Sequence, residues 1–260
     1  MTEAAGGISD TDGFVEAGHS GSNSDGSDAL TVTGVDGCAR GWVAVTLRLE
    51  HREGPGDPGV VTAAQVAVAA ALDGLLLAGV TGIDMPLGLL AAGWRDADAL
   101  ARRALGRRGV TVFAIPPRPV WECETYAEAG RACRALTGQG FSVQAWGLRR
   151  KIAEADAYRR RAAPSPVRLH EVHPELSFAA MAGAPLTDSK HTRAGLAVRR
   201  GLLAGAGIIL PPGVPGAAED DVLDAAAVAW SAGRIAAGRA TVLTTPSQRA
   251  DDGGEIAIRY

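Results

Sequence analysis

The feature of the sequence that most limits its possible folds is a pair of β-rich runs that begins at Leu30. The first run, LTVTGVDG, alternates β-branched and small residues, and the second, GWVAVTLRL, follows after a short turn that contains glycine. This pattern predicts a β-hairpin. A third extended stretch lies around Val60 and Val61, and AQVAVAAALDGLLLAG after it predicts a helix with a glycine stop. VTGIDMP then indicates a short buried strand that Pro86 ends.

The rest of the chain alternates helical and extended patterns. Residues 88–142 hold a basic helix candidate from Trp94 to Leu105 and the extended VFAIPPRPVW, and we interpret them as an insertion. A helix follows from about Ser142 to Arg161, then a strand in VRLHEVHP and a helix that reaches about Gly205. EDDVLDAAAVAWSAGRIAAG predicts a strong helix, and EIAIRY predicts a last strand. Hairpin strands followed by alternating helices and strands predict a mixed α/β sheet flanked by helices.

Composition excludes several classes of protein. Residues 1–28 are rich in Gly, Ser, Asp and Ala with almost no apolar periodicity, which predicts a disordered tail before a domain at 29–260. The three cysteines are odd in number and lack CxxC spacing, which argues against disulfides and structural zinc. No apolar run is long enough to span a bilayer, and no secretory signal is visible, so we expect a cytoplasmic protein without membrane contact.

Carboxylates stand where burial is expected in four places. Asp36 ends an apolar run, Asp84 ends VTGID, and Glu171 shares a strand face with Val167 and Leu169. Asp221 and Asp224 are three residues apart on the last helix and project from nearly the same side. Buried charges are costly unless they are paired, hydrogen-bonded or metal-bound. Converging carboxylates suit Mg²⁺ or Mn²⁺ and can hold two such ions for phosphoryl displacement.

Each acid also has a structural interpretation. Asp36 precedes Gly37 and fits a turn, and Asp221 fits a helix cap. Glu171 could pair with one of the many arginines. Asp224 is harder to explain in this way, because it lies a turn inside an otherwise apolar helix. His170 and His173 flank Glu171, but strand alternation places them on opposite faces, and we expect no zinc site there.

Positive charge is concentrated in the middle of the chain. Residues 88–170 carry 15 basic residues against seven acids, a local surplus of 15 − 7 = +8. Such a segment can face the phosphates of DNA or RNA, although solvated helix faces with internal ion pairs are an equal alternative. The predicted nucleic-acid contacts are Arg102, Arg103, Arg107, Arg108, Arg118 and Lys190.

Seven separated segments, in order, resemble the family catalogued as domain of unknown function 429, a group of predicted RNase H-like nucleases. They are GVDGCARGWV, GIDMPLG, the RR…VF…PPR segment, QAWGLRRKI, EVHPELSF, SKHTRAG and DDVLDAAAVAW. The resemblance covers roughly residues 33–260. One departure is the turn Cys38-Ala39-Arg40-Gly41, where the family pattern has Arg then Gly directly after Cys.

The last helix also looks like that of RuvC-type Holliday junction resolvases, whose paired acids complete a two-metal site. By that similarity Asp36 is the first-strand ligand, Asp84 the acid after the fourth strand, and Asp221 or Asp224 the helix ligand. Glu171 would be an additional acid on the fifth strand. The resemblance therefore implies an RNase H-like fold in which these residues hold Mg²⁺ or Mn²⁺.

The leading functional hypothesis is a metal-dependent phosphodiesterase that acts on nucleic acid, with Asp36, Asp84, Glu171 and Asp224 as catalytic acids. Two alternatives belong to other classes. One is a non-catalytic RNase H-like binding or scaffold protein whose acids serve as caps and ion pairs. The other is an actin-like phosphotransferase, which is disfavoured because the later half of the chain has no second glycine-rich DxGxG phosphate loop.

Overall fold

The computed structural model of the protein describes residues 29–50, 59–161 and 166–260. The predicted disordered tail lies outside the described residues. Five strands form the main sheet: β1 (Leu30–Cys38), β2 (Gly41–Glu50), β3 (Val60–Ala69), β4 (Val80–Ile83) and β5 (Arg168–Glu171).

The main sheet is mixed. Its strand order is β3-β2-β1-β4-β5; β1, β2 and β3 pair antiparallel, whereas β1, β4 and β5 pair parallel. Antiparallel hairpin strands thus come first and parallel strands follow. The mixed α/β architecture predicted from the sequence is confirmed.

The helix predicted after Val61 is wrong, because that segment forms strand β3. Ala64, Val66 and Val68 alternate along β3 and pack against the core, while the residues between them face solvent. Antiparallel pairing with β2 and this period-two burial outweigh the helix propensity of alanine. Only a short 3₁₀ turn at Leu72–Gly74 follows before β4.

Five helices separate β4 from β5, and three more follow β5 within the described residues. The first five are α1 (Asp96–Leu105), α2 (Arg118–Trp121), α3 (Tyr126–Thr137), α4 (Val143–Gly147) and α5 (Arg149–Arg160). The last three are α6 (Pro174–Ala182), α7 (Arg193–Gly205) and α8 (Glu219–Ala236). The predicted helices near Trp94, Arg160, Gly205 and Asp224 are confirmed, and α6 was not predicted.

The segment VFAIPPRPVW is only partly extended. Residues 112–117 lie outside regular structure, but Arg118 begins the short helix α2. Pro119 stands at the second position of α2, where its missing N–H has no helical partner to lose.

A small second sheet closes the described chain. Strands β6 (Val242–Arg249) and β7 (Glu255–Arg259) pair antiparallel, and Val172, just after β5, forms a bridge with Arg259. β7 is the strand predicted from EIAIRY, whereas β6 was not predicted.

Both faces of the main sheet are covered by apolar side chains. On one face, Val32 and Val45 pack with Leu223 and Ala226 of α8. On the other face, Ile83 packs with Ile152 and Ala155 of α5 and with Trp42. The sheet is therefore the middle layer of the domain, and the carboxyl ends of its parallel strands meet at one edge.

Candidate functional site

Two predicted acids follow neighbouring parallel strands at the same level. β1 and β4 pair with Val35 opposite Ile83, and the Asp84 amide donates to the Val35 carbonyl over 2.9 Å. Asp36 directly follows Val35, and Asp84 directly follows Ile83. Their carboxylates consequently leave the sheet side by side at its carboxyl edge.

Helix α8 lies unusually close to these two strands. Gly34 and Gly82 are register partners on β1 and β4. A Cβ atom on Gly34 would lie 2.0 Å from the Ala229 nitrogen, and one on Gly82 would lie 2.7 Å from Cγ1 of Val228. Only glycine leaves room for this approach. Asp224 stands one turn before Val228, so the helix carries it to the same edge of the sheet.

The three acids Asp36, Asp84 and Asp224, which we call the cavity acids, affect one another electrostatically. Burial raises the pKa of Asp36 well above its ordinary value, and the charges of Asp84 and Asp224 raise it further. Loss of hydration raises the pKa of Asp84 to about 7 and that of Asp224 to about 6, although Lys190 opposes both shifts. The folded protein thus holds these carboxylates at a cost when they are ionised.

Lys190 brings a positive charge to the cavity acids. Its Nζ atom donates to Oδ2 of Asp224 over 2.5 Å, and its charge also lowers the pKa of Asp36 and Asp84. The other oxygen of Asp224, Oδ1, is buried and has no hydrogen-bond partner within the described ranges. Asp224 itself is only 2% exposed. A buried carboxylate oxygen without a partner is expensive, and a ligand from solution would remove that cost.

The cavity acids line a cavity of about 410 Å³. Its other walls come from the 3₁₀ helix at Gly106–Thr111, the residues after it, and the segment that follows β5. Its ionisable lining residues are Asp36, Asp84, Asp98, Arg108, Lys151, Glu171, His173, Glu175, Lys190, His191 and Asp224.

Five ionisable lining residues were not among the predicted site residues: Asp98, Lys151, His173, Glu175 and His191. Two of them have a buried polar atom without a hydrogen bond to the described residues. Glu175, in the first turn of α6, accepts from Arg199 over 2.5 Å and from Arg108 over 3.0 Å with Oε1, whereas its buried Oε2 has no partner among the described residues. Nδ1 of His173 is also buried without a hydrogen-bond partner among the described residues, and burial lowers the pKa of this histidine. The signal was available in EVHPE, which follows β5 at the same sheet edge as Asp84.

Glu171 lies in the cavity wall but is already neutralised. Both of its carboxylate oxygens lie 2.6 Å from Nη2 of Arg95, and the Leu87 amide donates to Oε2 over 2.7 Å. Burial raises the pKa of Glu171 to about 7, and Arg95 acts against that rise. The structure therefore separates Glu171 from the cavity acids and gives it the arginine partner that the sequence left open.

Asp221 is the less engaged of the two helix acids. Its Oδ2 accepts from the Ala218 amide over 3.4 Å, as a residue at a helix start does, and it does not line the cavity. Of the alternatives Asp221 and Asp224, the structure brings Asp224 to the other acids.

Three of the predicted arginine contacts are engaged within the protein. Arg118 donates to Asp156 over 2.8 Å and also pairs with Asp251. Arg108 lines the cavity and pairs with Glu175.

Arg102 donates from Nε to the carbonyl of Val112 over 2.8 Å. Arg103 and Arg107 are exposed and form no ion pair with the described residues. The predicted basic surface is therefore smaller than the charge count of the segment implies.

The cavity acids offer the oxygen ligands that a divalent ion prefers, but their side chains are not arranged around a common point. Hard carboxylate oxygens are the ligands that Mg²⁺ and Mn²⁺ take, and the free Oδ1 of Asp224 has no other use in the described structure. In the described ranges no three Asp, Glu, His or Cys side chains are close enough to share one ion. Binding an ion therefore requires the carboxylates to turn toward it.

Fold and site together define an α/β protein with an acidic, lysine-containing cavity at the carboxyl edge of its sheet. The family model described as a protein of unknown function (DUF429) matches residues 34–249, and the chain belongs to that family. No curated protein and no solved structure matches the chain. None of the described helices is both long and apolar enough to cross a membrane.

Proposed function

We propose that the protein is a metal-dependent nuclease that hydrolyses phosphodiester bonds of nucleic acid. The observation that carries the proposal is the convergence of Asp36, Asp84 and Asp224 from three separate elements onto one cavity. The fold supports it as well, because antiparallel hairpin strands followed by parallel strands are what the RNase H-like resemblance implies.

In this proposal the cavity acids hold Mg²⁺ or Mn²⁺. Such an ion, when bound, supplies an activated water and offsets negative charge on the reacting phosphate. The Gly37 amide donates to Oδ1 of Asp36 over 2.6 Å and restrains this carboxylate, whose Oδ2 would be the ligand atom. Asp224 would offer its unpartnered Oδ1, and Asp84 lines the same cavity from the strand beside Asp36.

Basic residues at the cavity would position the phosphate backbone. Arg108 stands on the cavity wall with 20% of its side chain exposed, and Lys190 is 29% exposed. The exposed Arg103 and Arg107 lie on the same segment of chain. Phosphate contacts of this kind give affinity without base specificity.

The test is a cleavage screen of the full chain with Mg²⁺ or Mn²⁺ over single-stranded, duplex and branched DNA and RNA. Asp36→Asn should abolish cleavage, whereas Asp156→Asn, an acid that lies outside the cavity, should retain it wherever the protein is folded. Metal-induced thermal stabilisation provides a second readout that needs no substrate. If the wild type neither cleaves any substrate nor gains stability from either ion, the scaffold alternative replaces the proposal.

A further inference from the structure

Lys190 brings its ammonium group against the cavity acids. Nζ of Lys190 is 2.5 Å from Oδ2 of Asp224, and its charge acts on Asp36 and Asp84 as well. The ammonium group therefore contacts one cavity acid directly, in an ion pair.

The backbone around Lys190 is held by hydrogen bonds to the start of α7. The Thr192 amide and hydroxyl both donate to the Ser189 carbonyl, over 3.0 and 2.9 Å, and the Gly195 amide donates to Oγ1 of Thr192. A Cβ atom on Gly195 would lie 2.0 Å from the Ser189 oxygen, so the turn and the helix are in direct contact. These contacts fix the turn that carries the lysine.

A buried arginine ties the same turn to the cavity wall. Arg199 is fully buried, and it donates to the Asp188 carbonyl over 3.1 Å and to Oε1 of Glu175 over 2.5 Å. The turn is thus anchored on α7 at one side and on α6 at the other. The anchored turn consequently places Lys190 at the cavity.

The charges of the site match one divalent ion. The cavity acids carry −3 when ionised and Lys190 carries +1, which leaves −3 + 1 = −2. The buried ion pairs around these groups add nothing to this sum. Arg95 with Glu171 and Asp98 leaves one negative charge, and Glu175 with Arg199 and Arg108 leaves one positive charge. Two divalent ions would exceed the available negative charge.

We propose that Lys190 takes the place of one of the two cations, so that the site binds a single divalent ion beside a fixed ammonium group. The inference rests on the proposed function, since it concerns the same carboxylates. In this arrangement the ammonium group contributes the second positive charge next to the phosphate.

The experiment is a calorimetric titration of the full chain with Mn²⁺, which reports stoichiometry without substrate. The wild type should bind one ion. Lys190→Met, which keeps the length of the side chain and removes its charge, should bind a second ion or bind the first about 10-fold more tightly, because a fixed positive charge near the ion is gone. Arg193→Met, which removes an exposed charge three residues away, should behave as the wild type does.

Lys190→Arg keeps the positive charge and should keep a stoichiometry of one, which covers the case in which Lys190→Met does not fold. Two ions on the wild type overturn the inference and leave the proposed function standing. The same follows if Lys190→Met matches the wild type in both number and affinity. No binding to the wild type or any variant overturns the inference and the proposed function together.

Discussion

Two ionic clusters in this protein treat carboxylates in opposite ways. The cavity acids are opposed by the charge of Lys190, yet their pKa values rise. On the outside of the domain an ion-pair network joins α2, α5 and the β6–β7 turn. Its members are Arg118, Asp156, Arg159, Arg160, Asp251 and Asp252.

In the outer network the acids are fully compensated. Asp156 receives Arg118, Arg159 and Arg160 at 2.8, 3.2 and 3.0 Å. Burial works to raise its pKa, but the hydrogen bonds from Arg118 and Arg159 outweigh burial and lower it. The ionised carboxylates of the outer network thus stabilise the folded protein, whereas ionisation of the cavity acids lowers its stability. Surplus charge of the second kind is typical of functional sites.

The sharpest way to break this comparison is Asp224→Asn. The substitution should lower metal-dependent cleavage by on the order of 100-fold or more, since even changes to the partners of metal ligands cost about 10- to 100-fold. It should also remove Mn²⁺-induced stabilisation. Without metal the variant should be as stable as the wild type or slightly more so, because Lys190 keeps Asp36 and Asp84 as partners. Thermal melting with and without Mn²⁺ gives both answers.

A variant that melts well below the wild type without metal, yet gains the same stabilisation from Mn²⁺, would contradict the assignment of Asp224 as a ligand. Such a result would place Asp224 in the class of structural ion pairs, together with Asp156.

The same substitution in the outer network should have the reverse effect. Asp156→Asn leaves three arginines with only Asp251 and Asp252 as acidic partners among the described residues. It should lower the free energy of unfolding by about 2 kcal/mol, a modest value for a buried pair because the arginines are partly exposed. Urea denaturation measures this change. Metal binding should not move, and a parallel loss of metal affinity would show that the two clusters are coupled.

The two clusters should also differ in their pH dependence. The pKa of Asp84 is about 7 in the folded protein and about 4 in the unfolded chain, so between these values the folded state binds more protons and stability falls as pH rises. Asp84→Asn should remove about 1 to 2 kcal/mol of that fall, less than the full shift implies because Asp84 is only half-buried.

The measurement is urea denaturation of wild type and Asp84→Asn in EDTA from pH 4.5 to 7.5, compared as a difference so that other titrating groups such as His170 cancel. The outer network contributes in the opposite sense, because the lowered pKa of Asp156 makes its stabilisation disappear as pH falls below about 4. A wild-type minus variant difference that stays constant with pH would refute the raised pKa of Asp84.

The smallest expected effect concerns the exposed arginines outside both clusters. Replacing Arg103 and Arg107 with Gln should change stability by less than about 0.5 kcal/mol. If both contact duplex phosphates, the slope of log affinity against log salt should fall by about 2. Arg131→Gln with Arg134→Gln, on the exposed side of α3, is the matched control. Equal slopes for all three proteins would assign Arg103 and Arg107 to the solvated surface.

Much of the site could be predicted because its acids border or interrupt apolar core elements. Asp36, Asp84 and Asp224 each adjoin an apolar run, and burial of such a residue needs an explanation that local sequence does not supply. Their convergence depends on the parallel pairing of β1 with β4, whereas the sequence predicted only a mixed sheet and not which strands are neighbours.

What the sequence did not reveal depends on distant partners. Arg95, which neutralises Glu171, lies 76 residues away from it, and no local pattern joins the two. Arg118 finds Asp251 133 residues along the chain, so counting basic residues in one segment overstated the free charge.

Secondary structure failed where pairing overruled propensity. The alanines of β3 favour a helix, but β2 offers a full-length antiparallel partner. Strand β6 contains Pro246 and mostly polar residues, and it forms only beside β7.

Because α8 packs directly on Gly34 and Gly82, the rotation of this helix decides which of its side chains reach the cavity. Ala225, Val228 and Ala229 pack on the two glycines, and this contact sets both the distance of the helix from the sheet and its rotation about its own axis. One residue inserted between Asp224 and Ala225 would leave that contact intact and turn Asp224 by about 100° about the helix axis, out of the cavity. The spacing of four residues between Asp224 and Val228 is therefore as necessary for the site as the carboxylate of Asp224 itself.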